Sequence, residues 1–140
     1  MKKKIIITAS IFGALAVIAG AFGAHGLEGS ISPKNMEVWH TAVQYQFYHV
    51  FALLFLSTLS RFKTRLIGQC YYLFTFGIVF FSGSLYLLAC SDLLDWSWIS
   101  VAGPITPIGG LLFIAGWIIL LTAAFRNKLS GGASERRGTS

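Results

Sequence analysis

Four long apolar runs restrict the folds open to this chain. They cover about residues 5–24, 41–60, 67–89 and 105–125. A helix needs roughly 20 residues, at ~1.5 Å of rise each, to cross the ~30 Å hydrocarbon core of a membrane, and each run is long enough. The breaks between the runs are short and suit antiparallel neighbours. The sequence therefore predicts an all-α, four-helix transmembrane bundle over residues 1–128, with no room for a separate soluble domain.

The composition agrees with a membrane protein. Hydrophobic residues make up 55% of the chain and charged residues only 11%, whereas about a quarter of the residues are charged in an ordinary soluble domain. The formal charge of +6 would suit a nucleic-acid partner if the basic residues covered one folded face. They lie instead in the breaks between apolar runs, so we interpret them as topology signals and predict no nucleic-acid partner.

The basic residues also predict an orientation. The N-terminus carries Lys2, Lys3 and Lys4, the second break carries Arg61, Lys63 and Arg65, and the C-terminal side carries Arg126, Lys128, Arg136 and Arg137. In a chain with four alternating spans these groups share one side of the membrane, and Lys34 alone lies opposite. Because positive loops stay in the cytoplasm, we predict that both termini are cytoplasmic. The polar tail at 129–140 cannot bury enough surface to fold, and we predict a disordered cytoplasmic segment.

Small residues are spaced for close helix packing, which drives much of helix association in lipid. We assign this role to the glycine rows of the first and fourth runs, the Ser-Gly-Ser stretch of the third and one proline: Gly20, Gly23, Ser82, Gly83, Ser84, Pro107, Gly109 and Gly116. Thr106 is predicted to cap the fourth helix, with Pro107 in its first turn. A dedicated dimer motif is the alternative interpretation of the glycine rows, and packing inside one bundle is the one we favour.

The stretch HTAVQYQFYHV, residues 40–50, carries many hydrogen-bonding side chains into the second apolar run. At about 100° per residue, one arc of the helix collects Glu37, Thr41, Gln44, Tyr45 and Tyr48, with His49 on its shoulder and Gln46 nearly opposite Glu37. We predict that this polar arc faces into the bundle, towards the first helix and the third. His49 would then lie near mid-membrane, where an ionisable side chain is costly unless it is paired or meets water.

Four ionisable residues are expected at the outer mouth of this arc. His25 and Glu28 follow the first run, and the chain returns to Glu37 and His40. Three functional interpretations are open: a Zn²⁺ or Cu²⁺ site, a proton relay, or a path for a small polar solute. The structural alternative is that these side chains pair locally and lock the corner between two helices. The full candidate cluster is His25, Glu28, Glu37, His40, Gln44, Tyr45, Gln46, Tyr48 and His49. We predict no catalytic residue, no resident metal and no cofactor, because ordered ligand spacing such as H-E-x-x-H is lacking.

Several motifs occur in a familiar order. GAFGAHGL, WHTAVQYQFYH, FSGSLY and GPITPIGG followed by AGW resemble the YgdD/YwdK family of small four-span membrane proteins, catalogued as domain of unknown function 423. The resemblance covers roughly residues 5–125. It implies a multi-pass protein of the bacterial inner (plasma) membrane, and it brings no established activity, substrate or cofactor.

These observations favour a non-enzymatic membrane protein that works through lipid, through self-association or through a membrane-protein partner. The first alternative is a small transporter or channel component with a polar path along the second helix, which predicts a hydrated cavity. The second alternative is a metal- or haem-binding membrane protein, which needs histidines from two helices at one point. The sequence identifies no small-molecule ligand.

Overall fold

The computed structural model describes residues 1–59, 64–94 and 96–135, except for the side chains of residues 64, 96–99 and 127–135. The elements are α1 (Lys2–Phe22), a first π-helical turn (Gly23–Leu27), α2 (Pro33–Thr58), α3 (Thr64–Gly77), a second π-helical turn (Ile78–Ser82), α4 (Gly83–Ala89), a short 3-10 turn (Cys90–Asp92) and α5 (Trp96–Glu135). The second π-helical turn joins α3 and α4 without a break, so these three elements form one long third helix. The described residues contain helices and no strand, which confirms the all-α prediction.

Three of the four long helices are apolar and long enough to cross a membrane unaided. They are Lys2–Leu27, Arg65–Asp92 and Ser100–Arg126. The exception among the described helices is α2, because the polar side chains of its first half lower its mean hydropathy. It nevertheless packs along α1 and along the third helix, so the four helices form one bundle.

Helix α2 begins earlier than the apolar run predicted. It starts at Pro33, not near residue 41, and its first turn is capped by Ser32, whose Oγ accepts a hydrogen bond from the Asn35 backbone N–H at 3.3 Å. A proline is well suited to this first position, since its missing N–H is not needed there. About two turns of helix therefore precede the apolar run, and hydropathy along the sequence does not predict them.

Helix α5 runs through the segment where a break was predicted. It begins at Trp96 and carries Pro104 and Pro107 inside it, so Thr106 is not a helix cap. The Thr106 hydroxyl instead lies 2.6 Å from Ser84 Oγ on α4 and 3.4 Å from the Ala102 carbonyl oxygen. Membrane helices tolerate proline because neighbouring helices and hydroxyl side chains pair the freed backbone groups.

The polar tail is only partly described. Helix α5 extends to Glu135, inside the segment predicted to be disordered from residue 129, because a helix continues more readily than it starts. Residues 136–140 lie outside the described residues. So do Arg61 and Lys63, which with Arg136 and Arg137 contributed to the predicted orientation.

Some of the predicted small residues bring helices into close contact. A Cβ on Gly109 would collide with the backbone of Phe81, and one on Gly116 would lie 2.5 Å from the Phe74 ring. Gly20 is less crowded, with a Val43 methyl at 3.8 Å. Pro107 lies on the exposed side of α5. Glycine is therefore required where α5 crosses the third helix.

Candidate functional site

The amide of Gln46 connects three helices in the interior. Gln46 is only 4% exposed, and its Nε2 donates a hydrogen bond of 2.7 Å to the Phe12 carbonyl oxygen on α1. Its Oε1 accepts a hydrogen bond of 2.8 Å from the Tyr86 hydroxyl on α4. The side chain thus links α1, α2 and the third helix, and both ends of the amide are occupied.

His49 connects α2 to α5 in the same way. Its Nδ1 lies 2.8 Å from the Tyr45 carbonyl oxygen, and its Nε2 accepts a hydrogen bond of 3.2 Å from the Trp117 indole N–H. The imidazole also stacks on the Phe113 ring, with centroids 3.4 Å apart and planes 6° from parallel. Because Nε2 accepts, the proton lies on Nδ1, and this is the neutral tautomer. The geometry holds a buried, uncharged histidine whose two nitrogens are both used.

Hydroxyl groups complete this polar core. Ser82 Oγ donates to the Ala42 carbonyl oxygen at 2.9 Å, which ties the second π-helical turn to α2. Ser84 Oγ contacts both the Phe81 carbonyl oxygen and the Thr106 hydroxyl. In the part of the chain that the structure describes, no buried side-chain nitrogen or oxygen lacks a hydrogen-bond partner. The two serines predicted as packing residues therefore act through hydrogen bonds as well as through small size.

The structure buries a different face of α2 from the one predicted. Gln44, Tyr45 and Tyr48 are exposed, while Gln46 and His49 are buried. The buried stripe is Trp39, Ala42, Gln46, His49, Leu53 and Leu56, with alternating spacings of three and four residues. The prediction followed the greatest density of polar residues, whereas the bundle selects the face that continues into buried aliphatic side chains. That alternation was readable in the sequence and is the signal that was missed.

The four ionisable residues of the outer mouth do not form one site. All four are exposed, and only Glu28 and His40 line a common shallow pocket, of about 260 Å³, which His25 and Glu37 do not reach. Within the described residues, no group of three His, Cys, Asp or Glu side chains is placed to hold a metal ion. The corner is instead held by the loops: Asp92 Oδ2 accepts from the Ser32 backbone N–H at 2.8 Å.

A lateral groove of about 480 Å³ opens between α1 and the third helix. Its lining includes Phe12 and Phe22 of α1, Trp39 and Gln46 of α2, and Gly83 and Tyr86 of α4. A Cβ on Gly83 would meet nothing within 4 Å, so this glycine does not pack against a helix as predicted but leaves the groove open. The volume lies within the range of about 300–1,000 Å³ that is typical of ligand pockets.

Two groove residues that sequence reasoning passed over are central to it. The Trp39 indole N–H donates to the Ala19 carbonyl oxygen at 2.9 Å, and its ring lies 4.6 Å from the Tyr86 ring. Gly23 makes room for this indole, since a Cβ there would lie 2.6 Å from Trp39 Nε1. Trp39 and Tyr86 lie inside two of the quoted motifs, WHTAVQYQFYH and FSGSLY, and Trp117 lies inside AGW. Their presence in these motifs is the sequence signal that could have identified them.

The amino-acid sequence of the chain is similar to those of known proteins. Residues 19–110 match the family described as "Protein of unknown function (DUF423)". The chain belongs to this family. It is 46% identical over 127 residues to the UPF0382 membrane protein YwdK of Bacillus subtilis (strain 168), covering 89% of this chain and 98% of that protein. It is 45% identical over 124 residues to the UPF0382 membrane protein SH2409 of Staphylococcus haemolyticus (strain JCSC1435), covering 89% and 97%. No solved structure matches the chain. These relatives confirm that this DUF423 member is a membrane protein.

Proposed function

We propose that this DUF423 protein is a non-enzymatic, lipid-binding protein of the bacterial inner membrane, with both termini in the cytoplasm. The observation that carries the proposal is the lateral groove, which is open to the side of the bundle and holds about 480 Å³. At the depth of these helices the surrounding medium is lipid. The occupant of the groove is therefore an acyl chain or another apolar tail from the bilayer.

The dimensions of the groove support a tail from one leaflet. Along α1 it extends from Phe12 to Phe22, a rise of ~15 Å. That length is about half of the ~30 Å hydrocarbon core. The helix that carries it spans Lys2–Leu27, so the groove occupies the half of α1 remote from the N-terminus. With cytoplasmic termini, this is the outer leaflet.

The chemistry of the lining supports an apolar ligand. The polar atoms along the groove are already paired within the bundle: the Gln46 amide with Phe12 and Tyr86, and the Trp39 indole N–H with Ala19. Among the described residues that line the groove, no buried hydrogen-bonding side chain is left over to select a polar solute. The same pairing argues against the transporter alternative, which needs polar side chains that face water. The haem alternative needs histidines from two helices at one point. Both nitrogens of His49 are occupied, and His25 does not reach the pocket that His40 lines.

The orientation rests on the distribution of charge. Helix α1 begins with Lys2, Lys3 and Lys4. Arg65 and Arg126 lie at the end of the bundle where α1 begins. Since basic residues are retained in the cytoplasm, this end is the cytoplasmic one. Asp92 and Glu28 lie at the other end, in the loops that join the helices there.

Native mass spectrometry of the full chain, extracted in a mild detergent, tests the proposal. Wild-type protein should carry an adduct with the mass of a membrane lipid. Gly83→Leu fills the groove and should lose the adduct at least tenfold. Gly103→Leu is the matched control, because a Cβ on Gly103 in α5 also meets nothing within 4 Å and Gly103 does not line the groove.

Two outcomes would contradict lipid binding. One is wild-type protein without any adduct, and the other is equal adduct in all three proteins. Solute flux in proteoliposomes that disappears with Glu37→Ala, at an exposed residue outside the packed core, would favour the transporter alternative in its place.

A further inference from the structure

The outward face of α2 is not suited to lipid. It carries Gln44 and Tyr48 in line with Phe51 and Phe55, and the three aromatic side chains are each more than half exposed, from 54% to 61%. Among the described residues, neither the Gln44 amide nor the Tyr48 hydroxyl has a hydrogen-bond partner. This face includes the polar arc that was predicted from the sequence to face into the bundle.

Gln44 lies deep in the membrane. Gln46, two residues further along α2, bonds to the Phe12 carbonyl oxygen, and Phe12 stands near the middle of the span Lys2–Leu27. One helical turn is about 5.4 Å, so Gln44 lies within about one turn of that depth. An amide at this level has no water to bond. Leaving it unpaired in hydrocarbon is costly, and membrane helices meet this cost by bonding across to another helix.

We infer that the outward face of α2 packs against the same face of a second copy of this chain, with Gln44 beside its counterpart. A primary amide carries both a donor and an acceptor, so two glutamines at equal depth satisfy each other. Two copies with the same orientation in one membrane are related by a two-fold axis along the membrane normal, which places equivalent residues at equal depth. The Tyr48 hydroxyls are self-complementary for the same reason.

A second copy also accounts for the hydropathy of α2. The three other long helices are apolar enough to face lipid, and α2 is the exception among the described helices. Its buried polar residues, Gln46 and His49, are satisfied inside the bundle, so they do not require a partner. Gln44 and Tyr48 do. A different membrane protein would need its own polar side chains at that depth, whereas a second copy supplies them automatically.

Disulfide trapping in lipid vesicles tests the geometry. Phe51→Cys in the full chain, with Cys70→Ala and Cys90→Ser, should form covalent dimers under mild oxidation, because Phe51 is exposed on the outward face of α2 and the variant keeps the Gln44 amide. Ile114→Cys in the same background is the control, because Ile114 lies near the middle of the span Ser100–Arg126 and is 56% exposed on α5. We expect dimers from Phe51→Cys and few from Ile114→Cys. Equal yields would overturn the inference.

A second measurement keeps both native cysteines. Energy transfer between labelled copies at low protein-to-lipid ratio should fall with Gln44→Leu, and association should weaken roughly tenfold for the lost interhelical bonds. Gln69→Leu is the matched control, since Gln69 is an exposed glutamine on α3. Undiminished transfer with Gln44→Leu would overturn the inference, as would a cross-link from Phe51→Cys in native membranes that captures a different protein and no second copy.

This inference is independent of lipid binding. The groove is lined by the buried face of α2, through Trp39 and Gln46, and the pairing uses the outward face. Gly83→Leu should therefore abolish the lipid adduct and leave energy transfer unchanged. Wild-type protein without a lipid adduct would contradict lipid binding alone, and energy transfer that Gln44→Leu leaves undiminished would contradict the pairing alone.

Discussion

The two faces of α2 carry similar polar side chains that differ in burial and in hydrogen bonding. On the inner face, Gln46 and His49 are each 4% exposed, and each is hydrogen bonded to at least one neighbouring helix. On the outer face, Gln44 and Tyr48 are exposed and have no hydrogen-bond partner within the described residues. A glutamine inside a membrane helix therefore has two distinct uses, as a link within one bundle and as a contact for another molecule. Position on the helix decides between them.

The largest expected difference between the faces concerns the two ring side chains. His49→Ala removes a stacked ring and strands the Trp117 indole N–H, so the bundle should lose about 3 kcal/mol of unfolding free energy. Tyr48→Ala, at a residue that is 56% exposed, should change it by no more than about 0.5 kcal/mol. Denaturant titration of the dilute, detergent-solubilised monomer measures both. Equal losses would remove the distinction between the faces.

The two glutamines, Gln46 on the inner face and Gln44 on the outer face, should differ less in their effect on the unfolding free energy. Gln46→Leu breaks both cross-helix bonds and leaves the Tyr86 hydroxyl without its acceptor, so we expect a loss of about 1–2 kcal/mol. Gln44→Leu should leave the monomer within about 0.5 kcal/mol of wild type, because no bond within the chain is lost. The same titration applies. A Gln44→Leu monomer as unstable as Gln46→Leu would show that the outer amide also serves the fold.

The smallest effect comes from single hydroxyl groups. Tyr86→Phe keeps the ring against Trp39 and removes only the bond to Gln46, which should cost about 0.6 kcal/mol, the average for a bond between membrane helices. Tyr48→Phe is the matched control and should cost nothing in the monomer. Combining Tyr86→Phe with Gln46→Leu should cost less than the sum of the two, because both remove the same bond. Strict additivity would mean that Tyr86 and Gln46 act independently.

The helical bundle could be predicted from the sequence because the membrane leaves so few choices. Long apolar runs cross as helices, and short breaks make neighbours antiparallel. The ends of α2 and α5 could not be predicted from hydropathy. Pro33 starts a helix in polar sequence, and Pro104 and Pro107 stay inside one. Side chains from other parts of the chain stabilise both segments, Asp92 through Ser32 and Ser84 through Thr106.

The candidate site was predicted in part. Gln46 and His49 were among the predicted residues and do occupy the core, yet the predicted face was the wrong one and the ionisable mouth does not converge. Polarity along one helix shows that hydrogen bonds are needed without showing where their partners lie. Trp117, Tyr86 and the Phe12 carbonyl oxygen come from three other segments, and their positions depend on how those segments pack.

The sequence by itself determined that this chain is a helical membrane protein and, through its motifs, which family it belongs to. Those properties depend on local hydropathy and on residue order, and both are present before folding. Only the tertiary structure decided which face of α2 is buried, that Gly83 opens a groove where Gly109 closes a contact, and which amide is left for a partner. Each of these depends on the distance between side chains far apart in the chain, and that distance is fixed only when the helices pack.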